Sequence, residues 1–139
     1  MGHYIRLLIV GILLSSCTVE DTLYIEPMPP TLEIDGRLPL DENGYYHLDL
    51  NDSSKQTIHT ITGTVGPTIE PIKVDWTSNL SWVFQDNLVS TINCCSYPNE
   101  DGVIHTVIAP IRDMMGDTMV VSATIQQFQI IKTINIVLE

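Results

Sequence analysis

Two adjacent cysteines, Cys94 and Cys95, are the residues of this sequence whose spacing points most directly to chemistry. Neighbouring thiols can close only a strained disulfide ring, which is easily reduced, and as thiolates they bind soft metals. Structural zinc sites, however, use four ligands with two to four residues between paired cysteines. The sequence has no second cysteine pair. We therefore interpret Cys94 and Cys95 as a structural pair that stiffens the loop before Tyr97, with a redox or metal-binding pair as the alternative.

Histidines and carboxylates form no catalytic or metal-binding pattern in the sequence. His47, His59 and His105 fall in three separate predicted strands, and their spacing does not require them to converge. Asp41, Asn43 and Asp49 lack the ligand order of an EF-hand and are explained by a hairpin turn. We interpret the acidic stretches 49–52 and 99–101 as solvated turns, with calcium binding at the mouth of a sandwich as the alternative. There is no glycine-rich phosphate loop and no Gly-x-Ser-x-Gly motif. The sequence thus predicts no enzymatic activity, no bound metal and no cofactor.

Three aromatic residues in the long segment 79–101 are the candidate recognition residues. They are Trp82, Phe84 and Tyr97. Aromatic side chains on loops over a rigid scaffold are common anchors of interfaces. The alternative is that Trp82 and Phe84 complete the hydrophobic core.

The composition indicates which elements must position these residues. Of 139 residues, 18 are Ile, 11 are Val and 14 are Thr, against only 2 Ala. This balance favours strands over helices, because β-branched side chains fit a pleated surface. The length allows one ordinary domain. With 6 Lys and Arg against 17 Asp and Glu, and a net charge of −11, the chain lacks the clustered cations of a nucleic-acid-binding protein.

Short apolar–polar alternations separated by turn residues run from Thr31 to the end of the chain, at the spacing of an all-β sandwich. In residues 71–77, Ile72, Val74 and Trp76 are predicted to face inward. The other predicted inward positions in the clearest runs are Leu32, Ile34, Ile61, Val65, Met119, Val121, Ala123, Ile125, Phe128, Ile130, Ile134, Ile136 and Leu138.

Turn and breaker residues divide these runs. Asn43-Gly44 predicts a hairpin turn, and Gln85-Asp86-Asn87 predicts a turn between two short strands in 80–92. Residues 109–116 are the only helical candidate, enough for a single turn. Lys132 interrupts the last apolar face, which predicts an edge, a bulge or a side chain that extends its amine to solvent.

The first sixteen residues have the pattern of a secretory leader. A polar start with Arg6 precedes an apolar run, residues 7–14, which has less than half of the about 20 residues that a membrane-spanning helix needs. The following Leu14-Ser15-Ser16-Cys17 resembles the lipobox of bacterial lipoproteins, in which the leader is removed before the cysteine. The resemblance implies acylation of Cys17, for example with palmitate, and a stable lipid anchor. The mature chain would have 123 residues and a net charge of −12.

The residues after Cys17 bear on the destination of such a lipoprotein. In that family an Asp directly after the cysteine commonly signals retention at the inner membrane, so Thr18 implies the outer membrane. Glu20-Asp21 resembles the acidic signal for surface export in some Gram-negative groups. We expect the chain to face the cell exterior, with the inner leaflet of the outer membrane as the alternative. Residues 17–30 would form a short, Pro-rich, extended linker.

Two stretches resemble the PKD-like and other immunoglobulin-like modules of bacterial extracellular proteins. Residues 74–80, VDWTSNL, resemble their central strand, and residues 116–125, GDTMVVSATI, resemble their penultimate strand. The resemblance implies one immunoglobulin-like β-sandwich of about seven to nine strands over residues 31–139. The sequence departs from the common form after Asn79-Leu80, where Ser-Trp-Val-Phe replaces a tight Asp-Gly turn. The number of strands in 79–101 therefore stays open.

Taken together, these patterns predict a signal peptide (1–16), a lipidated cysteine with its linker (17–30) and one all-β domain (31–139). The predicted function is a binding, accessory or structural subunit of an envelope complex, with a protein or a glycan as its partner. One alternative is a pilus or fibre subunit that exchanges the C-terminal strand 128–138 between protomers. The other is a small metal or redox lipoprotein centred on Cys94-Cys95.

Overall fold

The computed structural model describes residues 28–50, 57–67 and 71–139. The predicted signal peptide, Cys17 and most of the linker lie outside these residues. The described chain forms ten strands. They are β1 (Leu32–Asp35), β2 (Tyr45–Leu48), β3 (His59–Val65), β4 (Val74–Ser78), β5 (Ser81–Phe84), β6 (Asn87–Ser90), β7 (Cys95–Ser96), β8 (Val103–Ile108), β9 (Thr118–Ile125) and β10 (Ile130–Leu138). Two 3-10 turns, Arg112–Met114 and Gln126–Phe128, are the helical segments in this part of the chain.

The strands form two large sheets and a separate hairpin. The order is β1-β3-β8 in the three-stranded sheet and β2-β10-β9-β4-β7 in the five-stranded sheet, while β5 and β6 pair with each other. All pairings are antiparallel except that of β2 with β10, which is parallel. The predicted all-β class is therefore confirmed, as are the two short strands in 80–92 and the single helical turn in 109–116.

One hydrophobic core lies between the two large sheets, which is the arrangement of a β-sandwich. Alternate residues of β3, β4, β8 and β9 point into it, and in β4 and β9 these are the positions that the sequence predicts. In β9 these are Met119, Val121, Ala123 and Ile125, and in and before β4 they are Ile72, Val74 and Trp76, all buried. The three-stranded sheet contributes Leu32, Ile61, Val65, Ile104 and Ile108. Burying such a side chain stabilises the fold by about 1.5–3 kcal/mol, so the alternation is the main reason that the sheets stack.

The row Trp76–Ala123–Lys132 crosses the middle of the five-stranded sheet. Trp76 is in register with Ala123, and Ala123 is in register with Lys132. Ala123 is fully buried, and its small side chain leaves room for the indole ring and the lysine stem. The indole N–H of Trp76 donates to Ser96 Oγ at 2.8 Å, which satisfies the polar atom of an otherwise apolar ring.

Lys132 interrupts an inward face in the way that the sequence predicts. Its stem starts on the core side of β10, and its Nζ reaches Glu33 of β1 at 3.4 Å, where both side chains are exposed. This lysine lies in a part of β10 with a free edge, because β2 pairs only with residues 135–138. The ion pair joins the two sheets along their open side, although an exposed pair of this kind contributes at most about 1 kcal/mol.

Two expectations from the sequence need correction. Phe128 does not continue the buried face of the last strand: it lies in a 3-10 turn and is 40% exposed, because Gln129 adopts a left-handed conformation and β10 begins only at Ile130. The predicted hairpin around Asn43-Gly44 has the turn, with Gly44 at a φ of 82°. Its first arm, however, is reduced to the single bridge of Leu40 with Tyr46, and β2 pairs mainly with β10.

Gly63 in the middle of β3 yields a test of the packing within the three-stranded sheet. A Cβ at this position would lie 2.5 Å from the carbonyl oxygen of Glu33 and 3.2 Å from Cδ1 of Ile104. We expect Gly63→Ala to lower the free energy of unfolding by about 1–3 kcal/mol through overpacking, measured by urea titration. Thr64→Ala, on the exposed face next to it, should change stability far less. Equal effects of the two variants would show that the approach of β1 to β3 is not tight.

Candidate functional site

The strand directions divide the domain into two poles. The start of β1, the end of β3 and the loop before β8 meet at one pole, where Gly66 N donates to Thr31 O and Val65 N donates to Gly102 O. We call this the N-terminal pole, because the described chain enters there. The opposite pole carries the root of the β5–β6 hairpin, where Thr91 Oγ1 donates to Leu80 O at 2.7 Å.

A cleft of about 550 Å³ opens at the N-terminal pole. Its walls come from the end of β3, the segment before β4 and the loop between β7 and β8. The lining residues are Val65, Gly66, Pro67, Pro71, Ile72, Tyr97, Pro98, Asn99, Glu100, Asp101 and Gly102. Tyr97, one of the three predicted recognition residues, is 64% exposed and provides the aromatic surface of the cleft. The volume lies in the usual range for small-ligand pockets.

The loop that carries Tyr97 is held in place by its own hydrogen bonds. Asn99 Oδ1 accepts from the N–H groups of Asp101 and Val103 at 3.0 and 2.8 Å. Gly102 has a φ of 75°, and a Cβ there would lie 2.5 Å from the carbonyl oxygen of Val65, so only glycine fits this close approach to β3. The rim of the cleft is therefore built into the fold.

The charged side chains in the described lining of the cleft are all acidic. Glu100 and Asp101 are exposed on its rim, and its described lining contains no Lys, Arg or His. Lys73 lies on the outward side of the segment before β4, where its Nζ is 2.7 Å from Asp75 Oδ1. The hydrogen bond and charge of Asp75, with a smaller electrostatic contribution from Tyr97, raise the pKa of Lys73, so its ammonium stays charged and is paired with Asp75. The cleft favours neutral or cationic ligands over anions.

Cys94 and Cys95 lie between the hairpin and the cleft. Their sulfur atoms contact each other as in a vicinal disulfide, and both residues are exposed. The carbonyl of Cys94 accepts from the N–H of Trp76 at 2.6 Å, and Cys95 is in register with Asp75. The described residues contain no group of three or more His, Cys, Asp or Glu side chains placed to hold a metal ion. Here the pair fastens the 91–96 segment to the edge of β4.

Trp82 and Phe84 lie on the hairpin and not beside Tyr97. Their rings meet edge to face at 5.7 Å, with Trp82 packed partly against the core and Phe84 53% exposed. Among the described residues, Trp82 Nε1 is a buried donor with no hydrogen-bond partner. The predicted recognition residues thus lie on two surfaces, one at each pole.

Two exposed apolar residues on the other face of the hairpin were not among the recognition residues predicted from the sequence. Val83 and Leu88 are in register with each other and are 66% and 76% exposed. Alternation along the strand could have indicated this position, because in a strand over residues 81–84 Val83 must point to the face opposite Trp82. The alternation does not reveal whether another segment covers that second face. In the described chain, none does.

The three histidines do not converge. His59 is on the inward face of β3 and donates through Nε2 to the carbonyl of Gly36 at 2.6 Å, whereas His105 is exposed on the outer face of the same sheet. His47 lies on the five-stranded sheet between two carboxylates. Its Nδ1 is 2.5 Å from Glu139 Oε1 and its Nε2 is 3.3 Å from Asp41 Oδ2. The hydrogen bond to Glu139, followed by that to Asp41, raises the pKa of His47.

No protein-family model matches the chain, and no curated protein matches it. Among the described residues, no helix is long and apolar enough to cross a membrane.

His47 predicts a specific pH dependence of stability. Because its folded pKa is raised above 6.5, its contribution is fully present below that value and is lost as the pH rises through the folded pKa. We expect the urea midpoint of the unaltered chain to fall between about pH 6 and pH 8.5 more than that of His47→Gln. His105→Gln, which removes an exposed imidazole, should follow the unaltered chain. Parallel curves for all three proteins would contradict the role of the His47 contacts.

Proposed function

We propose that this chain is a lipid-anchored subunit of an outer-membrane complex at the cell surface and that it contacts its protein partner through the β5–β6 hairpin. The observation that carries the proposal is the exposure of Val83, Phe84 and Leu88 on a single short hairpin. Exposed apolar residues that cluster on a soluble domain mark interaction surfaces. The lipobox-like Leu14-Ser15-Ser16-Cys17 supports the anchor, and Glu20-Asp21 supports surface export.

The strand order supports a finer fold assignment. We take the domain as an immunoglobulin-like sandwich in which the first strand is divided between the sheets: β1 pairs with β3, and β2 runs parallel to β10. The central strand β4 carries a buried Trp76, as in immunoglobulin-like domains. In this assignment, residues 81–92 are inserted beside the central strand, and the hairpin is the element that distinguishes this domain from the common form.

The hairpin has the features of a surface that is completed by another protein. In the described chain, β5 and β6 pair only with each other, which leaves two outer edges for strand addition. Asp86 is its only charged residue. An isolated two-stranded hairpin is only marginally stable in water. Contact of Trp82 with the core supports one face, and a partner would cover the Val83–Leu88 face together with Phe84, which is exposed at the end of β5 on the Trp82 face.

The placement of the hairpin agrees with a lipid anchor at the N-terminus. The described chain enters at the N-terminal pole, and the hairpin root lies at the opposite pole. A domain attached through Cys17 would therefore hold the hairpin away from its own bilayer. This arrangement favours a protein partner over the lipid surface as the occupant of the hairpin.

The two alternatives have less support. β10 pairs with β9 at eight positions and with β2 at four, so donating this strand to a neighbouring subunit would break both ladders. Metal binding at Cys94-Cys95 would require the pair to be reduced, and the described residues provide no third ligand, whereas a redox function would require the pair to cycle between disulfide and dithiol. Metal analysis and a thiol count on anaerobically purified protein would separate this candidate from the others.

Position-specific crosslinking in the intact envelope tests the hairpin contact. We expect a photoreactive phenylalanine analogue at Leu88 to crosslink one outer-membrane protein, and the double variant Phe84→Ser/Leu88→Ser to lose that protein in a pull-down of the lipidated chain. Ile131 is the matched control, since it is also apolar and 62% exposed but lies on β10. Crosslinks of equal yield from positions 88 and 131, or a crosslink only to a second copy of the chain, would overturn the proposal.

Acylation of Cys17 is tested independently of the hairpin. Cells grown with radiolabelled palmitate should label the unaltered chain and not the Cys17→Ser variant, and the variant should leave the membrane fraction. The Cys94→Ser/Cys95→Ser variant should still be labelled, because the resemblance to the lipobox concerns only Cys17. Absence of label in the unaltered chain would remove the anchor from the proposal.

A further inference from the structure

We infer that the Tyr97 cleft binds a primary ammonium group carried by a small molecule. The cleft and the hairpin lie at opposite poles, so this site is separate from the proposed protein contact. The cavity of about 550 Å³ has an apolar wall and an exposed aromatic ring. The charge of its walls decides which ligand it accepts.

The apolar part of the lining selects a ligand with some hydrocarbon. Pro67, Pro71 and Pro98 line the cleft together with Ile72, which is fully buried beneath it. None of the three prolines has an N–H, so these positions offer a ligand carbonyl acceptors and ring carbons but no backbone donor. A ligand that needs donors from the protein, such as a carboxylate or phosphate, finds few here.

The polar part of the lining selects a cation. Glu100 and Asp101 are exposed carboxylates that accept hydrogen bonds, while Lys73, which interacts electrostatically with Tyr97, lies outside the described lining and is paired with Asp75. The face of Tyr97 attracts a cation through its quadrupole. An ammonium group with three N–H donors can contact a carboxylate and an aromatic face at once, whereas a quaternary ammonium has no N–H to donate.

Two sources share this chemistry. One is a free organic amine, and the other is the ethanolamine headgroup of a phospholipid in the bilayer to which the chain is attached. The second source rests on the proposed anchor, because the cleft lies at the pole where the chain enters. The first source does not, so a failed anchor would leave the cleft open to free amines.

Calorimetric titration of the full chain in detergent tests the inference with matched probes. Phenethylamine should bind, and 2-phenylethanol, which has the same body without the charge, should bind at least about fivefold more weakly. For the headgroup, glycerophosphoethanolamine should bind more tightly than glycerophosphocholine. Binding of the free amine without the headgroup would assign the site to soluble amines. Equal binding within both pairs of probes would overturn the inference.

Variants locate the binding at the cleft. Tyr97→Ala should weaken phenethylamine binding by about three- to tenfold, and Glu100→Gln/Asp101→Asn should weaken it further. Asp86→Asn removes a charge at the opposite pole and should leave the affinity unchanged, which controls for attraction to the acidic surface as a whole. If Asp86→Asn weakens binding as much as the cleft variants, the amine binds through general electrostatics and the site is wrong. Neither result of the amine titrations bears on the hairpin contact, which the crosslinking experiment tests separately.

Discussion

The packing of β4 against β9 around Trp76 is the interaction on which both candidate surfaces depend. Trp76 is buried, in register with the small Ala123, and its indole N–H donates to Ser96 of β7. The segment before β4 forms a wall of the Tyr97 cleft, and the chain after β4 leads directly into the hairpin. A shift of β4 along β9 would therefore move the two surfaces together.

Features that depend on neighbouring residues could be predicted from the sequence, whereas features that depend on contacts between distant segments could not. The inward faces of β4 and β9 were predicted correctly because alternation with period two is a property of neighbouring residues. The parallel pairing of β2 with β10 was not, since it joins segments about ninety residues apart and no local pattern selects the partner. Phe128 fits the parity of its run but falls before the start of β10, because the backbone of Gln129 turns left-handed.

The same distinction explains the candidate sites. Tyr97 was recognised as an exposed aromatic, but its cleft is built from three segments that are distant along the chain and meet only at the pole. The acidic residues 99–101 were interpreted as a solvated turn, and the Asn99 side chain does cap such a turn. They follow Tyr97 and Pro98 directly in the sequence, but their position beside Pro67 and Pro71 is a consequence of topology.

Both surfaces include residues of the segment in which the sequence departs from the modules that it resembles. Residues 81–102 hold the apolar hairpin, Cys94-Cys95, Tyr97 and the acidic rim, while the regular strands around them are occupied with the core. The Cys94 carbonyl is tied to Trp76 at a point between the two surfaces. The departure in sequence and the exposed chemistry thus coincide in a segment that is tied to β4 through residues 94–96 and otherwise contributes few residues to the core.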